Sequence, residues 1–159
     1  MNNQETFTII KEAQYVVYSN YCIRDFDKNQ REELDAAIRD ARRHGALMEP
    51  NVSDGAAHVR ARNLCYAAIS LAKAGRMLEA YARLGEAEGY VQAFALAEYK
   101  EKQEAAGIAR RAWFAAGEGG RKGAVSEAFD KAAKEENRAE DFARSVGCDM
   151  PSYVTYDYD

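Results

Sequence analysis

The chain has 159 residues, of which 47% are hydrophobic and 30% charged, with 22 basic against 26 acidic side chains and a formal net charge of −4. This length suits one domain that buries its core without disulfides or metals, and the composition argues against disorder over most of the chain. A mixed, mildly acidic surface also argues against wholesale, sequence-independent nucleic-acid binding, while leaving room for a local basic patch.

In chain order, Asn2 and Glu5 have the spacing of a capping box opening a first helix, with Phe7, Ile10, Val17 and Tyr21 on one face and Ile9, Ala13 and Val16 widening it. The β-branched content of residues 6–10 and 16–18 leaves a strand as the alternative. Tyr15, Tyr18 and Tyr21 recur every third residue, so they spiral around a helix and some face outward, either as wet hydroxyls on a packed face or as an aromatic contact surface. Asp27 and Gln30 signal a second capping box, Leu34, Ala37, Ile38 and Ala41 give the apolar face behind it, and Gly45 is the expected stop. Arg39, Arg42, Arg43 and His44 form the densest basic cluster, which the macrodipole explains at a helix C-terminus, with an acidic partner or phosphates as the alternative. Pro50, Asn51, Ser53 and Asp54 read as a loop, with Ser53 or Asp54 capping the next helix.

The stretch Ala56–Ala116 is Ala-rich, free of proline and interrupted only by Gly75, Gly85, Gly89 and Gly107, a composition that favours helix at nearly every position. Ala57, Ala61, Leu64, Cys65, Ala68, Leu71 and Ala72 form one stripe, and Val59 and Tyr66 opposite it predict a central helix with neighbours on two sides. Gly75 is the expected left-handed stop, after which the period restarts at Met77, Tyr81, Leu84, Val91, Ala95 and Tyr99, so the two helices form an antiparallel hairpin. Gly85 and Gly89, one turn apart, mark either a point where the helix bends or ends, or a smooth groove that admits another helix. Leu64, Ala68, Leu71, Gly75, Ala80, Leu84 and Ala87 resemble the small and large positions of one tetratricopeptide-type hairpin. No second copy follows at the expected period of roughly 34 residues, so the resemblance implies hairpin packing and not membership of that family.

Ile108, Ala112 and Trp113 continue the helical pattern to Ala116, and the single tryptophan is expected to anchor the core or a subunit contact. The glycine-rich run 117–123 has Lys122-Gly123 where phosphate-cradling loops need Lys followed by Ser or Thr, and no strand precedes it, so it reads as an interhelical turn. A last helix spans about Ala124 to Val146, with Gly147 as its stop. Beyond it Pro151 opposes helix, and Val154, Tyr156 and Tyr158 alternate with Thr155, Asp157 and Asp159 in the period of an extended segment.

The predicted fold is all-α: a helical bundle of five or six helices built on antiparallel hairpins over residues 1–147, followed by an extended aromatic and acidic tail, 148–159. Cys22, Cys65 and Cys148 make no CxxC pair and read as free thiols. No apolar run approaches the roughly 20 residues that cross a bilayer, and the polar start Met1–Glu5 is unlike a secretory signal, so a cytoplasmic setting is expected. His44 and His58 are the only histidines, neither with metal ligands at suitable spacing, and pairs such as Glu86 with Glu88 read as solvated helix faces. No catalytic residue, metal or cofactor is therefore expected.

The predicted function is a non-enzymatic protein-binding module, an adaptor or inhibitor of another macromolecular complex, with a second copy of the chain as a further candidate partner. In general type the chain resembles the small acidic helical antagonists of bacterial defence or nucleic-acid machines carried by phages and plasmids. Candidate partner-binding residues are Tyr153, Tyr156, Asp157, Tyr158 and Asp159 of the tail with Arg39, Arg42 and Arg43. Two rival readings are a nucleic-acid-binding regulator using those arginines, with Arg121 and Lys122, and an enzyme with an unrecognised constellation around His44 or His58.

Overall fold

A computed structural model describes residues 2–20, 26–48 and 55–150. Six helices follow one another: α1 (Asn3–Asn20), α2 (Lys28–Leu47), α3 (Ala56–Lys73), α4 (Met77–Ala115), α5 (Gly117–Gly120) and α6 (Ala124–Ser145). The fold is an all-α bundle, and no described residue lies in a strand. None of the helices is long and apolar enough to cross a membrane.

Local chemistry sets most of the helix ends. Asn2 Oδ1 accepts from the Glu5 amide at 3.0 Å while Glu5 returns a carboxylate to the Asn2 amide at 2.8 Å, which starts α1 as a helix and not a strand. Asp27 and Gln30 form the same reciprocal box at the head of α2. Gly75, at φ +76, closes α3: its amide bonds Ala72 O and the Arg76 amide bonds Leu71 O, so two otherwise orphaned carbonyls are satisfied. Gly147, at φ +92, ends α6 in the same way through Cys148 to Ala143 O. The cap of α3 is Gly55, in the left-handed region at φ +74; Ser53 and Asp54 lie outside the described residues.

The central helix is α4, not α3. Val59 and Tyr66 are 43% and 50% exposed, so α3 has a single packed face. Antiparallel to the first half of α4 lie α1, through Asn3 to Glu98, Gln14 to Glu88 and Tyr18 against Tyr81, and α3, through His58 against Phe94 and Arg60 over Tyr90. α2 runs parallel to α4, with Ile38 and Ala41 beside Gly85, Arg42 beside Gly89 and Gly45 beside Tyr90. Tyr81, Leu84, Ala87, Val91, Phe94 and Ala95 of α4 are all buried in the resulting core.

Three glycines make the α2–α4 contact. α4 is continuous over 39 residues, so Gly85 and Gly89 neither bend nor end it. A Cβ on Gly89 would fall on the carbonyl oxygen of Arg42, and one on Gly45 would fall on that of Glu86; at Gly85 it would meet Ile38 O at 3.0 Å. Gly45 is thus not the stop of α2, which runs on to Leu47, but the point where the two backbones touch.

Past Ala95 the surroundings of α4 change. No residue from Leu96 to Arg138 is buried, and beyond the contact of Asn3 with Glu98 the outer half of α4 is paired with α6. This two-helix arm is joined by the Lys102–Glu135 ion pair at 3.4 Å and by Trp113 stacked on Phe129 at 5.5 Å, with Arg121 4.2 Å above the Trp113 ring. The glycine-rich run forms the turn at the tip and includes the single-turn α5.

Candidate functional site

The three arginines of α2 are placed differently from one another. Arg42 turns inward: its Nη2 donates at 3.2 Å to Oε2 of Glu88, whose side chain is 8% exposed, and Gln14 donates to the same oxygen at 3.3 Å. Glu86 is likewise buried, held by Arg83 at 2.9 Å with His44 at 3.9 Å. The glutamates expected on a solvated face instead flank the α2–α4 contact, Glu88 paired with Arg42 from the helix that covers it and Glu86 with Arg83 of its own helix. Arg39 and Arg43 are exposed and make no ion pair among the described residues.

Arg39 and Arg42 border an open groove of about 560 Å³ between α1 and α2, with Tyr18, Asp35, Ile38 and Tyr81. The Tyr18 and Tyr81 rings lie 5.7 Å apart. Burial, followed by the Glu88 carboxylate, pushes the Tyr18 hydroxyl up to about 12, so it remains a neutral donor and acceptor across the ordinary pH range. That Tyr15 and Tyr18 of α1 face outward was readable from their spacing, Tyr21 lying outside the described residues, but the meeting of Tyr18 with Tyr81 and Arg39 was not, because it depends on α1 and α2 flanking α4 together. Tyr153, Tyr156, Asp157, Tyr158 and Asp159 lie outside the described residues.

A larger open cleft, about 1110 Å³, lies where the arm leaves the body, lined by His58, Glu98, Lys102, Arg138, Asp141 and Ser145 among others. His58 Nδ1 is 2.8 Å from the hydroxyl of buried Thr6 and its ring meets Phe94 edge-on. Ser145 donates its hydroxyl to Phe142 O at 2.7 Å, so it is not hydrogen-bonded to His58 as an activated nucleophile. Among the described residues no three His, Cys, Asp or Glu side chains gather to hold a metal.

Burial lowers the His58 pKa from 6.5, against the opposing pull of Glu98. The unfolded chain therefore takes up this proton first, near pH 6.5, and the stability gained from a neutral His58 is full above that value and lost as pH falls towards the folded-state pKa. Melting temperatures measured across this window should fall on acidification, and His58→Gln, which keeps a polar partner for Thr6, should flatten part of the slope. An unchanged slope in the variant would show that His58 does not contribute.

Cys65 is a buried free thiol that burial pushes up to about 12, and Cys148 is a free thiol that donates to Gln92 O at 3.3 Å. Cys22 lies outside the described residues. Compared with protein-family models, curated proteins and solved structures, the chain matches none.

Proposed function

We propose that this chain is a non-enzymatic protein-binding module, an adaptor or inhibitor that engages another macromolecular complex through the α1–α2 groove. The observation that carries the reading is the composition of that groove: Arg39, free of any ion pair among the described residues, stands beside two neighbouring tyrosines and Ile38. Arginine and tyrosine at a concave, partly desolvated place are the residue types that dominate interface energetics, and the partner segment that fits is acidic with an apolar anchor. A cytoplasmic setting belongs to the same reading, supported by the free thiols of Cys65 and Cys148.

The nucleic-acid reading has less support. Of the cations it would recruit, Arg42 is engaged by Glu88 and Arg121 by the Trp113 ring and carbonyl.

The test is retention of proteins from a native-host lysate on immobilised wild-type chain and on the Arg39→Glu, Arg43→Glu variant, with thermal unfolding of both recorded. A protein held by the wild type and lost from an equally stable variant is the expected result. Retention indifferent to the substitutions overturns the reading, and retention abolished by nuclease transfers it to nucleic acid.

A further inference from the structure

We propose that residues 151–159 of this chain dock in its own α1–α2 groove and occupy it until a partner displaces them. The placing of the chain just before them is the starting observation. α6 runs antiparallel to α4, with Phe129 against Trp113, Glu135 against Lys102 and the Val146 carbonyl accepting from Gln92 at 3.1 Å, so it delivers the chain towards the first half of α4. Cys148 then donates to Gln92 O at 3.3 Å, and Met150 is buried in the core. Gln92 lies eleven residues from Tyr81, which lines the groove. That separation is about three turns, so the two residues share one side of α4 at a distance of about 17 Å. The segment after Met150 spans up to about 30 Å when extended, so it reaches the groove with length to spare.

Complementary chemistry selects this segment as the occupant. Residues 151–159 hold Asp157 and Asp159 with no basic side chain, and Tyr153, Val154, Tyr156 and Tyr158 as apolar anchors. Such a segment matches a groove of Arg39, two tyrosines and Ile38 in both charge and apolar character. Entering from the Gln92 side, it passes Arg43 and then Arg39, one turn apart on α2, both exposed and neither in an ion pair among the described residues. Asp35, the acid that lines the groove, lies a turn beyond Arg39 and favours a register in which the two aspartates stop at the arginines. Extended backbone sets Val154, Tyr156 and Tyr158 on one side, to lie on Tyr18 and Ile38, and leaves Asp157 and Asp159 for the arginines at the rim. A tethered occupant acts at an effective concentration of order millimolar, so a weak contact is enough to compete with a partner. That competition rests on the groove being the partner surface, whereas the docking itself does not.

Amide NMR spectra of the full chain alone, wild type against the Asp157→Lys, Asp159→Lys variant, test the docking. The expected result is a set of shift changes at Tyr18, Ile38 and Arg39 as well as around the substitutions, diminished by added salt. Changes confined to the substituted segment overturn the docking, and groove changes that grow with protein concentration assign the segment to a second copy and overturn it as an intramolecular contact. A fluorescent peptide with the sequence of residues 151–159 gives a second readout. It should bind the Asp157→Lys, Asp159→Lys chain about ten-fold more tightly than the wild type, whose groove is already filled, and lose that binding when Arg39→Glu and Arg43→Glu are added. Equal affinity for wild type and variant, or no binding to either, overturns the proposal. Docking observed beside lysate retention indifferent to Arg39 and Arg43 refutes the proposed function alone, and the converse pair of results refutes the docking alone.

Discussion

Gly89→Ala is expected to destabilise the protein by about 2–3 kcal/mol, whereas the same substitution eighteen positions later, at Gly107, should stabilise it by about 0.5–1 kcal/mol. Both glycines sit inside the same continuous helix, so propensity alone favours alanine equally at each. The difference is what the new methyl group meets. At Gly89 it falls on the backbone of Arg42, which cannot swing aside as a side chain can, so α2 must lift off α4 and surrender the packing of Ile38 and Ala41 with it. At Gly107 the nearest atom is the end of the Arg111 side chain at 3.6 Å, an ordinary contact. Gly85→Ala belongs between them, with Ile38 O at 3.0 Å and the Ala41 methyl at 3.2 Å. Urea unfolding of the three variants measures the order, and a Gly89→Ala protein as stable as wild type would refute the backbone-to-backbone contact of α2 and α4.

Arg42→Met should cost about 1–2 kcal/mol, most of it returned when Glu88→Gln is added to the same chain. Glu88 is buried to within 8% of full exclusion from solvent, and one of its oxygens, Oε1, has no hydrogen-bond partner among the described residues. Oε2 is held by the Arg42 guanidinium together with the Gln14 amide, and removing the guanidinium leaves a carboxylate without its opposite charge in a poorly solvated place. Because Arg42 is itself 47% exposed, the loss falls short of the roughly 3–5 kcal/mol of a fully buried pair. A thermodynamic cycle of the two single changes and the double change isolates the coupling, and additive effects would show that Arg42 and Glu88 do not depend on each other. Binding lost on replacing Arg42 would thus be confounded by stability, whereas Arg39 and Arg43 report on recognition alone.

Features that depend on a few neighbouring residues were legible in the sequence. The capping boxes at Asn2–Glu5 and Asp27–Gln30, the left-handed stops at Gly75 and Gly147, and the helical composition of Ala56–Ala116 all follow from hydrogen bonds or backbone preferences within about one turn. The core stripe of α3 was legible too, since periodicity states which side of a helix is apolar. Periodicity does not state which helix meets that side or how closely. Only the tertiary arrangement made α4 the centre, turned Gly45, Gly85 and Gly89 from apparent weak points into the contact with α2, and carried Glu86 and Glu88 from an apparently solvated face into the interior with Arg42 and Arg83 as their partners. Each of these outcomes rests on residues more than forty positions apart or on a helix face covered by another element, and the energy of such a contact exists only once both surfaces are in place.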